Sequence, residues 1–331
     1  MIHEAIIEAY SVLETGEPIN REMASKLSMM AGEHTMDLMS LAHKVKNKYS
    51  EDMHACSIIN AKSGLCAENC KFCAQSAHNS GNADVYDLME PEKILAQATE
   101  CFDNGMERFG IVTSGKGFKS VDDKDFQSIL SAIDKIKENH PGKKVCAAVG
   151  AISDECIDEL LKRDIDNYGF NLQVAPAKYE ELVATTTNSS SKVSMIKRLT
   201  SKGTPVCSGG VLGIGETMDD RIELAFTFQE LGVNVIPLNV LVPMEGTPLE
   251  KQKPIDVIDV AKTFALFRLI NPTKVLKFAA GRETMMNDYQ GLLMLSGANG
   301  LLMGGYLTTR GRDIPQDQTF TAQLAPFSHT E

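Results

Sequence analysis

Eight cysteines stand at positions 56, 66, 70, 73, 101, 146, 156 and 207, and three share one short run, Cys66-Ala-Glu-Asn-Cys70-Lys-Phe-Cys73. Such CxxxCxxC spacing lets three thiolates ligate three irons of a cubane and leaves the fourth iron without a protein ligand. An open position of that kind is what substrate activation requires, whereas a structural site would close it. A zinc site or a purely structural iron-sulfur site is the bland alternative for a CxxC pair.

The surroundings favour metal chemistry. The chain carries a formal net charge of −11, and its amino terminus, MIHEAIIEAYSVLETGEPIN, has acidic residues where a signal peptide would be basic. It contains no run of about 18 uncharged apolar residues. These features predict a cytoplasmic protein without a membrane span, in which a set of cysteines serves metal binding or catalysis rather than disulfides. Lys and Arg form no cluster interleaved with aromatics, so the footprint of a nucleic-acid binder is missing.

Among the elements that must carry these cysteines, residues 1–50 read as a helical extension, with Ile6, Ile7, Ala9, Tyr10 and Leu13 at helical spacing. From residue 53 onward short apolar runs alternate with amphipathic stretches. Eight candidate strands result: 53–59, 108–113, 144–149, 166–173, 205–211, 234–240, 274–279 and 299–303. Segments such as EPEKILAQATECFDNG, DKDFQSILSAIDKIKE, DDRIELAFTFQELG and PIDVIDVAKTFALFRLI read as the intervening helices. The predicted class is α/β, a (β/α)8 TIM-type barrel over 51–312 with an N-terminal helical cap and a loose tail over 313–331. A doubly wound open sheet is the alternative.

This count puts the Cys66–Cys73 run on the loop after the first strand, where barrels carry chemistry. It also puts Cys56, Cys146 and Cys207 on strands one, three and five, and Lys277 on strand seven. All four strands are odd-numbered, and a layer of inward side chains in a barrel comes from alternate strands, so the four converge inside it. Each cysteine alone reads as a small buried hydrophobe. Together they make a second candidate metal site. Cys101 and Cys156 fall in helical stretches and receive no role.

The triad, with Phe72 before its third cysteine and a barrel strand before its first, resembles the radical S-adenosylmethionine (SAM) superfamily. More narrowly, CSIINAKSGLCAENCKFCAQS, VCSGGVLGIGET, IPLNVLVPMEGTPL, FAAGRETM and SGANGLLMGGYLTT resemble successive motifs of the biotin synthase family, from about residue 53 to 310. The resemblance implies a [4Fe-4S] cluster on Cys66, Cys70 and Cys73 that cleaves SAM reductively to a 5′-deoxyadenosyl radical. It further implies sulfur insertion between C6 and C9 of dethiobiotin, with sulfur drawn from an auxiliary iron-sulfur cluster. A flavodoxin or ferredoxin-type electron donor and a homodimer are implied as partners.

By matching position, Phe72, Ser114, Gly115, Asn171 and Gln173 approach SAM, while Asn239, Thr308, Thr309 and Lys277 approach the substrate or its sulfur source. The glycines of SGGVLGIGET are expected beside the adenine. A GxGxxG-like run this far from an amino-terminal βαβ unit is weak evidence for a dinucleotide.

Four departures from the family pattern matter. Gly110 stands where the family has an auxiliary-cluster cysteine on strand two, Lys277 replaces an arginine, and Cys56 is available on strand one. Gly169 replaces an asparagine that meets the ureido ring of dethiobiotin, with Phe170 beside it. The expected auxiliary group is therefore a four-iron cluster on Cys56, Cys146 and Cys207 carrying an extra sulfide, in place of [2Fe-2S]. The Gly169 change supports, as alternative, a related radical SAM enzyme with another small substrate, such as a cofactor maturase or methylase. A non-enzymatic iron-sulfur carrier would have no use for the SAM loops.

Overall fold

The chain's apolar runs, rich in β-branched residues, form parallel strands that bury both faces, as the near-continuous hydrophobicity of GIVT and VIPLNV requires. In the computed structural model, which describes residues 1–50, 53–308 and 311–328, these strands are β1 (His54–Lys62), β2 (Arg108–Thr113), β3 (Lys144–Ala148) and β4 (Asn167–Gly169). They continue as β5 (Val206–Cys207 and, after a break, Gly210–Leu212), β6 (Val235–Val240), β7 (Val275–Phe278) and β8 (Gly300–Leu302). β6 pairs with β7, β7 with β8, and β8 with β1, all parallel, so the sheet closes into a barrel. Closure rules out the open doubly wound sheet and bears out the (β/α)8 expectation.

Two strands are shorter than their apolar runs. β4 ends at Gly169, and the chain rejoins the sheet only through an isolated bridge between Gln173 and Gly210. β5 breaks at Ser208 and Gly209 because the backbone there runs against β6, where a Cβ on Gly209 would stand 1.9 Å from the Pro237 carbonyl oxygen. A two-residue parallel pair, Gly117–Phe118 with Ala151–Ile152, links the segments after β2 and β3 and has no clear signal in the sequence.

Helices α1 (Glu4–Glu14), α2 (Arg21–Ser28) and α3 (Glu33–Tyr49) form the amino-terminal extension. The barrel helices include α4 (Pro91–Asp103), α5 (Lys124–Asn139), α6 (Asp154–Lys162), α7 (Ser189–Ser201), α8 (Met218–Glu230) and α9 (Val257–Ile270). On α9 the fully buried Arg268 donates to the carbonyls of Gly297 (2.7 Å), Pro272 (3.0 Å) and Lys274 (2.7 Å) and to Asn299 Oδ1 (2.7 Å). Asn299 Oδ1 also accepts from Leu276 N (2.8 Å), and its carbonyl from His54 N (2.7 Å). One guanidinium thus ties together the starts of β1, β7 and β8 beneath the interior site, with neutral acceptors meeting its buried charge.

The carboxyl-terminal segment corrects the expectation of a loose tail. It forms helix α10 (Ile314–Leu324), opened by a capping box between Asp313 and Gln316. Its Asp317 is fully buried and takes bidentate hydrogen bonds of 2.9 and 2.8 Å from the equally buried Arg282 Nη2. Among the described residues no helix is long and apolar enough to cross a membrane.

Candidate active site in the barrel

The Cys66–Cys73 loop is folded by its own backbone. Cys66 N donates to Gln75 O (2.9 Å), Ala77 N to Cys66 O (2.8 Å), and the Asn79 amide reaches the carbonyls of Cys70 (3.1 Å) and Cys73 (2.9 Å). A second set of bonds clamps the loop to the segment after β4. Asn69 Oδ1 accepts from the backbone N–H groups of Thr185 (2.9 Å) and Thr186 (3.1 Å), and Lys71 N donates to Val183 O (2.9 Å). Cys70 feels both Cys73 and Cys66, and Cys73 feels Cys66. Burial, then the neighbouring Cys73, pushes Cys70 up to about 12, and burial raises Cys73 as well. A bound iron would reverse this by stabilising the thiolates.

A half-buried cation without a signal in the sequence stands beside the triad. Lys192, at the start of α7, has its Nζ 2.9 Å from Asn171 O and 4.5 Å from the Phe170 ring centre. Burial pushes its ammonium down, and the nearby Cys70 and Glu68 only partly restore it. The string SSSKVSM looks like an ordinary polar helix start, so nothing local announces this role.

Below the loop lies a cavity of about 380 Å³. It joins Phe72 and Cys73 at one end to Cys56, Cys207 and Lys277 at the other. Between them Asn171, Gln173, Asn239 and Thr308 also reach its wall, amid Ile58, Val112, Val211, Val240 and Leu302. Such a mostly apolar wall with a few fixed polar groups is typical of a small-molecule site. Gln173 has an uncommon φ of 75°, and its Oε1 is buried without a hydrogen-bond partner. An acceptor held this way in left-handed backbone points to a ligand donor.

Asn239 is oriented by its frame: Nδ2 donates to Gly210 O (3.0 Å) and Oδ1 accepts from Ala280 N (3.0 Å). One amide hydrogen and one lone pair remain for a ligand. Ser114 and Gly115 are not on the cavity wall. Ser114 Oγ instead donates to Gly64 O (2.8 Å), bracing the loop after β2 against the triad loop, and Gly115 faces open space. Thr309 lies outside the described residues.

Cys56, Cys146, Cys207 and Lys277 lie on β1, β3, β5 and β7. Lys277 Nζ lies 3.0 Å from Cys56 Sγ. Cys146 and Cys207 each feel Lys277, Cys56 and Asp166 electrostatically, and Cys146 feels Cys207 too. Burial pushes Cys207 up to about 11 and Cys146, which also faces the Asp166 carboxylate at 3.8 Å, well above its ordinary value. Burial pulls Lys277 down, but its neighbours Cys56 and Cys207 outweigh it and leave the ammonium raised. Beneath them His54 Nδ1 is buried and unpartnered, while Arg108 Nε pairs with Asp166 at 3.2 Å. Cys146 is not on the cavity wall.

Gly110 lies between Ile58 and Cys146 in register, and a Cβ there would stand 3.1 Å from Ile58 Cγ2. A strand-two cysteine would therefore crowd β1. Among the described residues no three His, Cys, Asp or Glu side chains converge on a single metal ion. A cubane takes one thiolate per iron, so its ligands surround a shared volume instead of a shared ion. Three interior thiols on β1, β3 and β5 fit that demand.

The glycine-rich run also has partners within the fold. Gly210 packs under Leu224, where a Cβ would come within 2.8 Å of Cδ2, so the SGG pair serves strand packing. In the GIGET turn the N–H groups of Gly213 and Ile214 both bond the buried Glu216 carboxylate at 2.8 Å, and Arg221 Nε pairs with Glu216 at 2.8 Å. The anion cradle of this loop is filled by the chain's own carboxylate, which leaves no phosphate site there.

The Radical SAM superfamily model matches residues 62–228, and the Biotin and Thiamin Synthesis associated domain matches 237–324. Biotin synthase of Pelodictyon phaeoclathratiforme is 51% identical over 333 residues, covering 99% of this chain and 98% of that protein. Biotin synthase of Chlorobaculum tepidum is 51% identical over 330 residues, covering 99% of each. Among solved structures, methylornithine synthase superposes with a TM-score of 0.80 at 16% identity, covering 97% of this chain and 96% of that one. The [FeFe]-hydrogenase maturase of Carboxydothermus hydrogenoformans gives 0.80 at 17%, covering 98% and 78%. These two share the fold.

Proposed function

The chain belongs to the biotin synthase family of radical SAM enzymes, and on that premise we propose that its two cysteine sets divide the reaction between them. Cys66, Cys70 and Cys73 hold the [4Fe-4S] cluster that works with SAM. Cys56, Cys146 and Cys207 hold an auxiliary four-iron cluster with an extra sulfide. When bound, these groups supply reductive cleavage of SAM and the sulfur atom inserted into dethiobiotin, respectively. The observation that carries the reading is the single cavity reaching both Cys73 and the Cys56–Cys207–Lys277 end.

The chain's own residues do the positioning. Phe72 covers the mouth end of the cavity, and the unpaired Gln173 Oε1 accepts from a ribose hydroxyl of SAM, next to Asn171. Lys192 supplies a half-buried positive charge for the SAM carboxylate. Asn239 and Thr308 hold the substrate between the two ends, with Thr309 next to Thr308 in sequence. The apolar wall keeps water from the reacting carbon, which protects a radical from quenching.

Gly169 cannot be replaced by a ureido-binding side chain without movement, since its Cβ would stand 2.8 Å from Ala148 Cβ. The fixed amide of Asn239 and bridging water meet the ureido group instead. The family relationship supports a flavodoxin or ferredoxin-type donor, a homodimer and a cytoplasmic setting.

The test is SAM cleavage by the anaerobically reconstituted enzyme with and without dethiobiotin, with mass analysis of the product. Dethiobiotin should stimulate cleavage and gain the mass of one sulfur with loss of two hydrogens. Cleavage indifferent to dethiobiotin and no product would overturn the assignment in favour of another substrate.

A further inference from the structure

Three of the four positions in the interior ring are thiols, and the fourth is a lysine whose setting is built for it. Lys277 is 4% exposed, and its stem crosses β8 where Gly300 has no side chain: a Cβ there would stand 2.4 Å from Lys277 Cγ. Its Nζ lies 3.0 Å from Cys56 Sγ on the cavity wall. The other titratable groups near this site are Cys146, Cys207, His54, Arg108 and Asp166, and Arg108 already takes Asp166 as its ion pair. Sulfur is what the ammonium meets.

An ammonium carries three N–H donors and no lone pair, so it cannot ligate iron. A buried charge of this kind requires an anion with further hydrogen-bond acceptors. Three thiolates leave one iron of a four-iron cluster without a protein ligand. With β1, β3 and β5 contributing the thiolates, β7 is the alternate strand that remains, and Lys277 stands on it.

We propose that Lys277 selects and holds the transferable sulfur: its ammonium donates hydrogen bonds to an anionic sulfide or hydrosulfide bound at the auxiliary cluster's fourth iron. This rests on the reading that Cys56, Cys146 and Cys207 hold that cluster. Binding is a ligand addition in which hydrosulfide supplies the electron pair of the new iron–sulfur bond. Nothing is oxidised or reduced, and any proton lost goes to solvent. Lys277 is a positioning residue that discriminates an anionic sulfur ligand from neutral water. A compact ammonium suits one sulfur atom, whereas a guanidinium fork suits a two-oxygen anion.

Anaerobic native mass spectrometry of the reconstituted full chain tests this by counting iron and sulfide together. The wild type should carry one sulfide more than its irons require. Lys277→Met should keep every iron and lose that one sulfur, Lys277→Gln should do the same, and Lys277→Arg should retain at least part of it. An extra sulfide kept in both neutral variants overturns the proposal, and so does loss of auxiliary irons together with the sulfur in both, which would make Lys277 structural. A wild type with only two irons, or none, beyond the mouth cluster overturns the four-iron reading itself and the proposal with it, a result distinct from either variant outcome.

Discussion

Cys73 of one cysteine set and Cys56 with Cys207 of the other line the same cavity, and the two sets are built by different means. Cys66, Cys70 and Cys73 lie within one loop, and backbone bonds over a few residues shape it, such as Cys73 N to Cys70 O at 3.1 Å. Cys56, Cys146 and Cys207 are spread over three strands, and the pairing of β1 with β2, β2 with β3, and β4 with β5 sets their relation. A loop can move its ligands as it binds a group, whereas strands of a closed barrel cannot. The mouth set therefore suits a cluster that must bind and release SAM, and the interior set suits a sulfur source that must stay aligned with a carbon atom. The charged neighbours differ as well: Lys192 and Glu68 act on the mouth thiols, while Lys277 and Asp166, the latter paired with Arg108, act on the interior ones.

The sharpest way to break this division is to remove one thiol from each set. Cys70→Ala should abolish reductive SAM cleavage, and Cys207→Ala should spare cleavage while losing sulfur insertion. Deoxyadenosine and biotin measured in the same reaction separate the two, and equal losses in both assays would merge the sites.

The next effect concerns the support beneath the interior set. Burial first, then Lys277 and Arg108, pushes His54 from 6.5 to about 3. The unfolded chain then takes up this proton more readily than the folded one. The stability from a neutral His54 is complete above about pH 6.5 and lost as pH falls toward 3. In cluster-free protein, urea midpoints across this window should fall less steeply for His54→Gln than for wild type. Parallel slopes would show that His54 does not couple to folding.

A smaller effect tests the cavity wall between the sets. Gly169→Asn should destabilise the protein by about 1–3 kcal/mol through overpacking against Ala148, and adding Ala148→Gly should recover much of it. Thermal melting of the single and double variants measures this, and additive losses would contradict the contact. Smallest is the clamp on the mouth loop: Asn69→Ala gives up the bonds to Thr185 and Thr186, worth on the order of 1 kcal/mol. Iron at the mouth should leave to a chelator several-fold faster while interior iron is unchanged. Equal acceleration at both sites would deny the independence of the two supports.

Much of this was legible in the chain. The eight apolar runs became the eight barrel strands, and Cys56, Cys146, Cys207 and Lys277 fell on alternate strands β1, β3, β5 and β7, because strand period and barrel closure leave few arrangements. Ser114 was legible by position but not by contact: its hydroxyl is spent on Gly64. Helix α10 was missed because its anchor is an ion pair between Asp317 and Arg282, distant in sequence, and no apolar stripe announces it. Lys192 and His54 were invisible for a similar reason. Each is an ordinary polar residue until folding buries it.

By itself the sequence determined the mouth triad, the βα repeat and the family, since these rest on spacing along the chain. Only the tertiary structure decided which groups face which. It filled the GIGET cradle with Glu216, aimed an unpaired Gln173 oxygen at the cavity and set Lys277 against Cys56. The physical reason is that ligand spacing is a local property of the backbone, whereas charge pairing and burial depend on neighbours that only barrel closure brings together.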